Sequence, residues 1–461
     1  MKAPRRKLGL WMATALVVGN MVGSGIFLLP ASLGPFGGIS MVGWLFTSAG
    51  AMVLALTFAW LARELPRSGG PYAYTRAAFG DFPAFLVAWG YWLSICAGNA
   101  AIAVAFVGYL AFFAPALSAS PPLGAAAAVA AVWLLTWVNA RGVREAGSVQ
   151  LVTTILKLLP LVAVGTVGLA YLQWENFAPF NASGRSTLSA VSGTAALTLW
   201  AFLGLESATI PAGEVERPDR TIPRATLLGT VIAAAVYVAS TAAIMGVLPG
   251  ASLAASTAPF ADAASRMWGP WAAHAVAGGA AVACFGALNG WTLLLGQMPL
   301  AAAADGLLPP VFSRLSARGT PSRGLVLSSA LVTLIVATNY ARGMVVEFTF
   351  IILLATLATL VPYAFSTMAF VVSHLGGGAR GAGVPAGEPG GGGPESPAGQ
   401  RPGNRPSGRI AVALLAFAYS AWAIVGTGLE TLAWGSALLL AGIPVYAYVA
   451  RRAGAGRGRA A

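Results

Sequence analysis

Apolar residues run along this chain in long blocks, each closed by a short stretch carrying arginine, glycine or proline. A helix needs roughly 20 such residues to cross the hydrocarbon of a bilayer. The blocks predict twelve crossings, at 8–30, 40–62, 82–113, 123–139, 149–172, 194–213, 225–248, 273–304, 324–339, 346–372, 410–426 and 430–450. Such runs recur along the whole length, the pattern of a polytopic helical membrane protein. The fold class is therefore an all-α integral membrane protein. The first block reads as a true span, not a cleaved signal peptide, because it is too long and more spans follow it.

Two blocks are interrupted. The first contains "GNMVGSGIF", residues 19–27, and the sixth contains "AFLGLESATIPAG", residues 201–213. Glycine in a helix interior costs about 1 kcal/mol relative to alanine, and lipid satisfies no backbone group that a break exposes. A matched pair of interrupted spans five apart points to a binding site at the interface of two repeats. An odd number of spans per repeat forces the second repeat to be inverted. Unwinding at Gly23–Gly25 frees amides at the start of a half-helix, where the dipole favours a carboxylate. Carbonyls freed near Met21 and Trp200 suit an ammonium. Close helix packing through Gly23 and Gly25 is the other reading of the first break.

Composition changes little of this. Of 461 residues 57% are hydrophobic and 9% charged, and mean hydropathy is +0.76. The net charge of +13 sorts by side. With both termini cytoplasmic, the inner segments hold nearly all the Arg and Lys, the outer loops hold Arg185, Arg266 and Arg342, and Lys157 lies within a span. That asymmetry is topological and needs no nucleic acid partner. Residues 373–409, rich in Gly and Pro, form a flexible cytoplasmic linker. They divide the chain into a ten-helix core at 1–372 (repeats about 8–172 and 194–372) and a terminal helix pair with a basic tail at 410–461. Cys96 and Cys284 read as small buried apolar side chains. His274 and His374 fall near span ends, so no metal site, cofactor or catalytic cluster is expected, and the chain does not read as an enzyme.

The motifs "GNMVGSGIFLLPASL", "SGGPYAYTRAAFG", "YWLSICAGNAAIAV", "TLWAFLGLESATIPAGEVERPDRTIPRAT", "LNGWTLLLGQ" and "TLVPYAF" resemble those of the amino acid–polyamine–organocation transporters. Within that superfamily the chain is most similar to bacterial basic amino acid/polyamine antiporters, especially arginine/agmatine exchangers. The resemblance implies a LeuT-like 5+5 inverted repeat with discontinuous first and sixth helices, followed by two terminal helices. It also implies a multi-pass protein of the cell membrane that binds a small amino acid or amine, with protons as a possible coupling partner and a homodimer as its assembly.

By the same resemblance, amides near Ser24 and Gly25 hold the substrate carboxylate, and carbonyls of Met21, Trp200 and Leu203 hold its amino group. Trp200 is then the gate over the substrate, and Trp291 stacks on its cationic end. Asn99 matches a side-chain contact, although a buried amide fits a helix–helix hydrogen bond equally well, and Asn20 shares that ambiguity. Glu206, the one carboxylate well inside a span, is a functional candidate in its own right. The resemblance places it in a gate with Tyr91 and Tyr363, and links Tyr72 to pH dependence, against a plain loop anchor.

Two departures bear on substrate and coupling. Ala355 stands where arginine/agmatine exchangers offer a hydroxyl, and Ser94, Ile95 and Ile102 also differ. Lys157 stands where exchangers have an apolar residue. It resembles the lysine of proton-coupled relatives, or else snorkels to the interface. The leading expectation is exchange of a cationic amino acid for its amine or for another amino acid. The alternative is a proton-coupled symporter of neutral or small amino acids. A membrane enzyme, a receptor or a channel finds no supporting motif.

Overall fold

The structure, a computed structural model, describes residues 7–256, 258–342, 344–375, 407–427 and 429–457. In chain order the helices are α1 (Leu10–Met21), α2 (Gly25–Leu33), α3 (Ser40–Glu64), α4 (Pro71–Phe79), α5 (Asp81–Leu110), α6 (Ala116–Ala119), α7 (Pro121–Arg141), α8 (Val143–Val167) and α9 (Thr187–Leu199). They continue with α10 (Pro218–Val247), α11 (Gly250–Ala255), α12 (Pro259–Trp268), α13 (Pro270–Ala304), α14 (Ser322–Arg342), α15 (Met344–Leu375), α16 (Ser407–Gly426), α17 (Leu429–Leu440) and α18 (Ile443–Arg457). Eleven helical stretches among the described residues are long and apolar enough to span a membrane, and Leu10–Met21 is a shorter apolar helix. No strand occurs among these residues; a single bridge pairs Leu8 with Val215.

Three predicted spans differ in detail. The block at 8–30 is two helices, α1 and α2, with Val22–Ser24 between them. Val22 has φ −80 and ψ 83, outside the helical region, and the Gly23 amide turns back onto the Met21 carbonyl at 2.9 Å. The sixth block begins earlier than predicted, at Thr187, and is α-helical only to Leu199. Beyond it, Trp200–Phe202 tightens to a 3₁₀ turn and Leu203 is extended. Gly204 takes φ +107, a conformation open to glycine and strained for other residues. The last block is divided between α17 and α18. The short helices α4 and α12, which lie between spans, were not predicted. Most of the 373–409 linker, residues 376–406, lies outside the described residues.

The two five-span units are α1/α2, α3, α5, α7 and α8, then α9 with the segment after it, α10, α13, α14 and α15. The packing is consistent with their exchange. Contacts α3–α10, α5–α13 and α7–α14 each join equivalent elements, while α1–α10 is matched by α9–α3 and α5–α15 by α13–α8. This is the LeuT-like inverted repeat, in which each discontinuous helix packs against the second helix of the other unit. Burial follows from that topology. Every residue of α1 from Ala13 to Met21 is buried, whereas α8 turns Val152, Ile155 and Leu159 outward. Those exposed aliphatic side chains face hydrocarbon, where exposure carries no hydrophobic penalty.

Candidate functional site

The two helix breaks meet. Asn20, in the last turn of α1, donates from Nδ2 to Ser207 Oγ at 2.8 Å. Gly204 lies so close to Asn20 that an added Cβ would sit 3.0 Å from the Asn20 Cβ. Trp291 of α13 donates its indole N–H to the Asn20 carbonyl at 3.2 Å. Three elements distant in sequence are thereby fixed at one point. Gly25 lies against Trp200, whose Nε1 would be 2.5 Å from an added Cβ.

A cavity of ≈ 480 Å³, counted to its open mouth, lies at this junction. Asn20, Met21, Ser24, Gly25, Trp200, Leu203, Trp291 and Ala355, all singled out from the sequence, line it. The start of α2 has no side-chain cap, so the first amides of that helix are orphan donors at the positive end of its dipole. Trp200 and Trp291 line the same space, and the lining contains no Asp or Glu, so a positive charge here has no counter-ion among the lining residues.

This architecture and its sequence motifs agree with the comparisons. The profile of the amino acid permease family matches residues 8–375. The chain belongs to that family. The cadaverine/lysine antiporter of Escherichia coli is 39% identical to the permease over 370 residues, 78% of this chain and 82% of that one. The putrescine transporter PotE of Haemophilus influenzae is 34% identical over 375 residues, 81% of this chain and 86% of the relative. PotE of Escherichia coli is 32% identical over 461 residues, 98% of each chain. These relatives support the basic amino acid/polyamine antiporter branch. Their names carry lysine, cadaverine and putrescine, where the motifs pointed to arginine and agmatine.

One candidate for the cavity lies elsewhere in the permease. Asn99 is not among the lining residues; its Nδ2 donates to the Ile95 carbonyl at 2.8 Å and its Oδ1 accepts from Thr292 of α13 at 3.4 Å. The cavity face of α5 is instead Ser94, Gly98 and Ile102, spaced four apart on one side of the helix. Asn99, one residue on, is turned by about 100°. Gly98 and Thr359 were not predicted. Both were legible as periodicity, Gly98 four residues from Ser94 and Thr359 four residues from Ala355.

Glu206, Tyr91 and Tyr363 do come together. Tyr91 donates to Glu206 Oε1 and Tyr363 donates to Oε2, and the Gly204 amide donates to the Tyr363 hydroxyl at 3.1 Å. All three side chains are fully buried. The cluster ties α5, the broken sixth segment and α15 together just beyond Leu203. Further along, Leu8 donates to the Glu214 carbonyl at 2.8 Å and accepts from the Glu216 amide at 2.9 Å. These bonds tie the segment before α1 to the segment after the sixth span.

Lys157 does not snorkel. It is fully buried, and its Nζ donates to the carbonyls of Gly19 and Val22, each at 2.6 Å. It therefore holds the negative end of the α1 dipole and the first residue of the unwound stretch, Val22. Tyr72, in α4 outside the spans, donates to Asp305 Oδ2 at 2.9 Å, and Arg76 pairs with the same oxygen at 2.7 Å. Burial, and then the Asp305 charge, push the Tyr72 phenol above its ordinary range. It remains a protonated donor through neutral pH, so its own ionisation supplies no switch there.

Proposed function

We propose that the permease is a secondary antiporter, exchanging a cationic amino acid for a diamine or a second amino acid by alternating access. One observation carries this reading: two helix breaks meet at a single cavity that has the uncapped start of α2 on its wall, with Met21, Leu203, Trp200 and Trp291 beside it. That set complements the carboxylate and the ammonium groups of a basic amino acid. The names of the relatives, cadaverine/lysine antiporter and putrescine transporter, support the substrate class. Proton-coupled uptake of a neutral or small amino acid is not favoured by them.

In this reading Ser24 and Gly25 bind the carboxylate, Met21 and Leu203 the amino group, and Trp200 and Trp291 enclose the cation. Asn20 holds the two breaks in register. Asn99 acts at one remove, as a brace between α5 and α13. The Glu206–Tyr91–Tyr363 cluster is the gate that opens when access alternates, and Tyr72 with Asp305 reinforces it at the surface. Lys157 couples the unwound stretch of α1 to α8. Both termini are assigned to the cytoplasm on the arginine bias of the loops. The ten-helix core carries transport, and the terminal helices carry a homodimer contact.

Counterflow in proteoliposomes tests the exchange. Internal unlabelled lysine, cadaverine or putrescine should accelerate uptake of labelled lysine, and Trp200→Ala should abolish the acceleration. If no basic amino acid or diamine on the inside speeds uptake, the antiport reading is wrong. If uptake instead follows an imposed pH gradient and Lys157→Ala removes that dependence, proton coupling replaces it.

A further inference from the structure

The spans α7 and α14 pack side by side, antiparallel, and three bonds between them fix their register. Trp133 Nε1 donates to Thr333 Oγ1 at 3.1 Å, Thr136 Oγ1 and Ser329 Oγ are 2.7 Å apart, and Thr320 Oγ1 donates to the Ala140 carbonyl at 2.9 Å. That register sets Arg141, the last residue of α7, within a helical turn of Arg323 at the start of α14. Both arginines are exposed, and among the described residues neither forms an ion pair. Glu145, the carboxylate nearest to Arg141 along the chain, lies over Gly142 instead. The Arg141 guanidinium is stacked on Trp137, 3.8 Å from the ring centroid. Below the two charges each helix turns an apolar stripe outward, Trp137 and Trp133 on α7 and Leu327 and Leu334 on α14. Each stripe continues the face of its own arginine, at spacings of four, seven, eight or eleven residues. Trp133, bonded to Thr333, bridges the two stripes about 12 Å of helix from Arg141.

We infer that this α7–α14 face seats one anionic phospholipid, its phosphate against Arg141 and Arg323 and its chains along the two stripes. The ligand must be anionic at its head and apolar below, because the charges stand directly at the end of two membrane-length helices. A soluble anion matches the arginines but not the stripes, and a zwitterionic lipid brings its own cation to the same place. A guanidinium presents a flat fork of donors that meets phosphate oxygens in pairs. Stacking on Trp137 holds that fork in one plane and leaves its N–H edge free, so less side-chain freedom is lost on binding. The bias of arginine toward one side of the membrane explains which end these residues occupy. It does not require the stack on Trp137, the alignment with Arg323 or the continuity with two outward stripes. That end is the one assigned to the cytoplasm, and the cytoplasmic leaflet is where anionic lipids attract basic residues. The inference is independent of which substrate the permease carries.

The test titrates delipidated full-length protein in a non-ionic detergent with dioleoyl phosphatidylglycerol or dioleoyl phosphatidylcholine and follows thermal unfolding. A ligand that binds only the native state raises apparent stability, so phosphatidylglycerol should raise the unfolding temperature saturably and phosphatidylcholine should not. Arg141→Gln and Arg323→Gln should each raise the half-effect concentration of phosphatidylglycerol about fivefold, the equivalent of about 1 kcal/mol per basic residue near anionic lipid. Trp137→Leu, which keeps the charge and removes the stacked ring, should raise it as well. Arg451→Gln, at an exposed arginine of α18, should leave it unchanged. Glycerol phosphate, which has the headgroup anion and no chains, should give no shift. Equal response to the two lipids overturns the inference, as does a phosphatidylglycerol response that the Arg141 and Arg323 changes do not move. An equal loss in Arg451→Gln also overturns it, by showing only a diffuse attraction to basic surface. A shift reproduced by glycerol phosphate makes the site one for a soluble anion and overturns the lipid assignment.

Discussion

At the scale of single residues, two glycines divide the labour of the cavity. Gly98 lines it, and a Cβ added there would meet nothing within 4 Å. Gly98→Ala should therefore leave thermal stability within ~0.5 kcal/mol, the usual range where no packing is disturbed, while weakening substrate binding by intruding on the cavity. Titration of ligand-induced thermal shift in detergent checks both halves. Gly25 behaves differently, because its Cβ would sit 2.5 Å from Trp200 Nε1 and the indole must move. Gly25→Ala should cost about tenfold in substrate affinity through that displacement, in line with about 1.4 kcal/mol per decade. A Gly25→Ala variant with wild-type affinity would mean that Trp200 has no fixed seat. The residues that sequence missed are of the same kind. A glycine or a threonine within an apolar span carries no chemical signature, and only its helical phase relative to Ser94 or Ala355 assigns it to a face.

At the scale of elements, the breaks depend on contacts between helices that are far apart in sequence. Gly290 of α13 allows one of the tightest of these: a Cβ there would lie 1.9 Å from Asn20 Oδ1 and 2.9 Å from Gln150 Oε1. Gly290→Ala should destabilise the fold by about 1–3 kcal/mol, as overpacking of a tight interface does, and should reduce exchange together with stability. The proposed gate makes a narrower prediction. Tyr363→Phe leaves one oxygen of Glu206 and the Gly204 amide without this partner, and an orphaned buried group costs about 1–3 kcal/mol. Lower thermal stability with faster leak of preloaded substrate is the expected result; unchanged leak would remove the cluster from the gate. The interruptions themselves were readable, since Gly23, Gly25 and Gly204 stand in otherwise apolar spans. The helical state on either side was less so. Propensity does not say that the sixth segment leaves the α-helix at Trp200 and continues in 3₁₀ turns, because Asn20, Tyr363 and Trp291 act on it from other elements.

At the scale of the whole molecule, the proposed exchange has an electrical consequence: inward lysine at net +1 against outward cadaverine at +2 would move one positive charge out per cycle. A membrane potential then contributes about 2.3 kcal/mol per 100 mV to each exchange. Lysine uptake into cadaverine-loaded vesicles should accelerate when the interior is made positive and slow when it is made negative. Exchange of lysine for lysine should ignore the potential, which serves as the internal control. Equal response of both exchanges would mean that charge does not move as the substrates' ionisation requires.

The sequence by itself determined the membrane fold, the order of the spans and the two places where the helix gives way. Those are one-dimensional properties: apolar length against bilayer thickness, and glycine where lipid tolerates no exposed backbone. Tertiary structure decided what the breaks face. It turned Asn99 away from the cavity, seated Lys157 on the carbonyls of Gly19 and Val22, and joined Ser94 to Thr359 across two helices. Such pairings depend on the rotation and approach of packed helices, set jointly by side chains remote from one another along the chain.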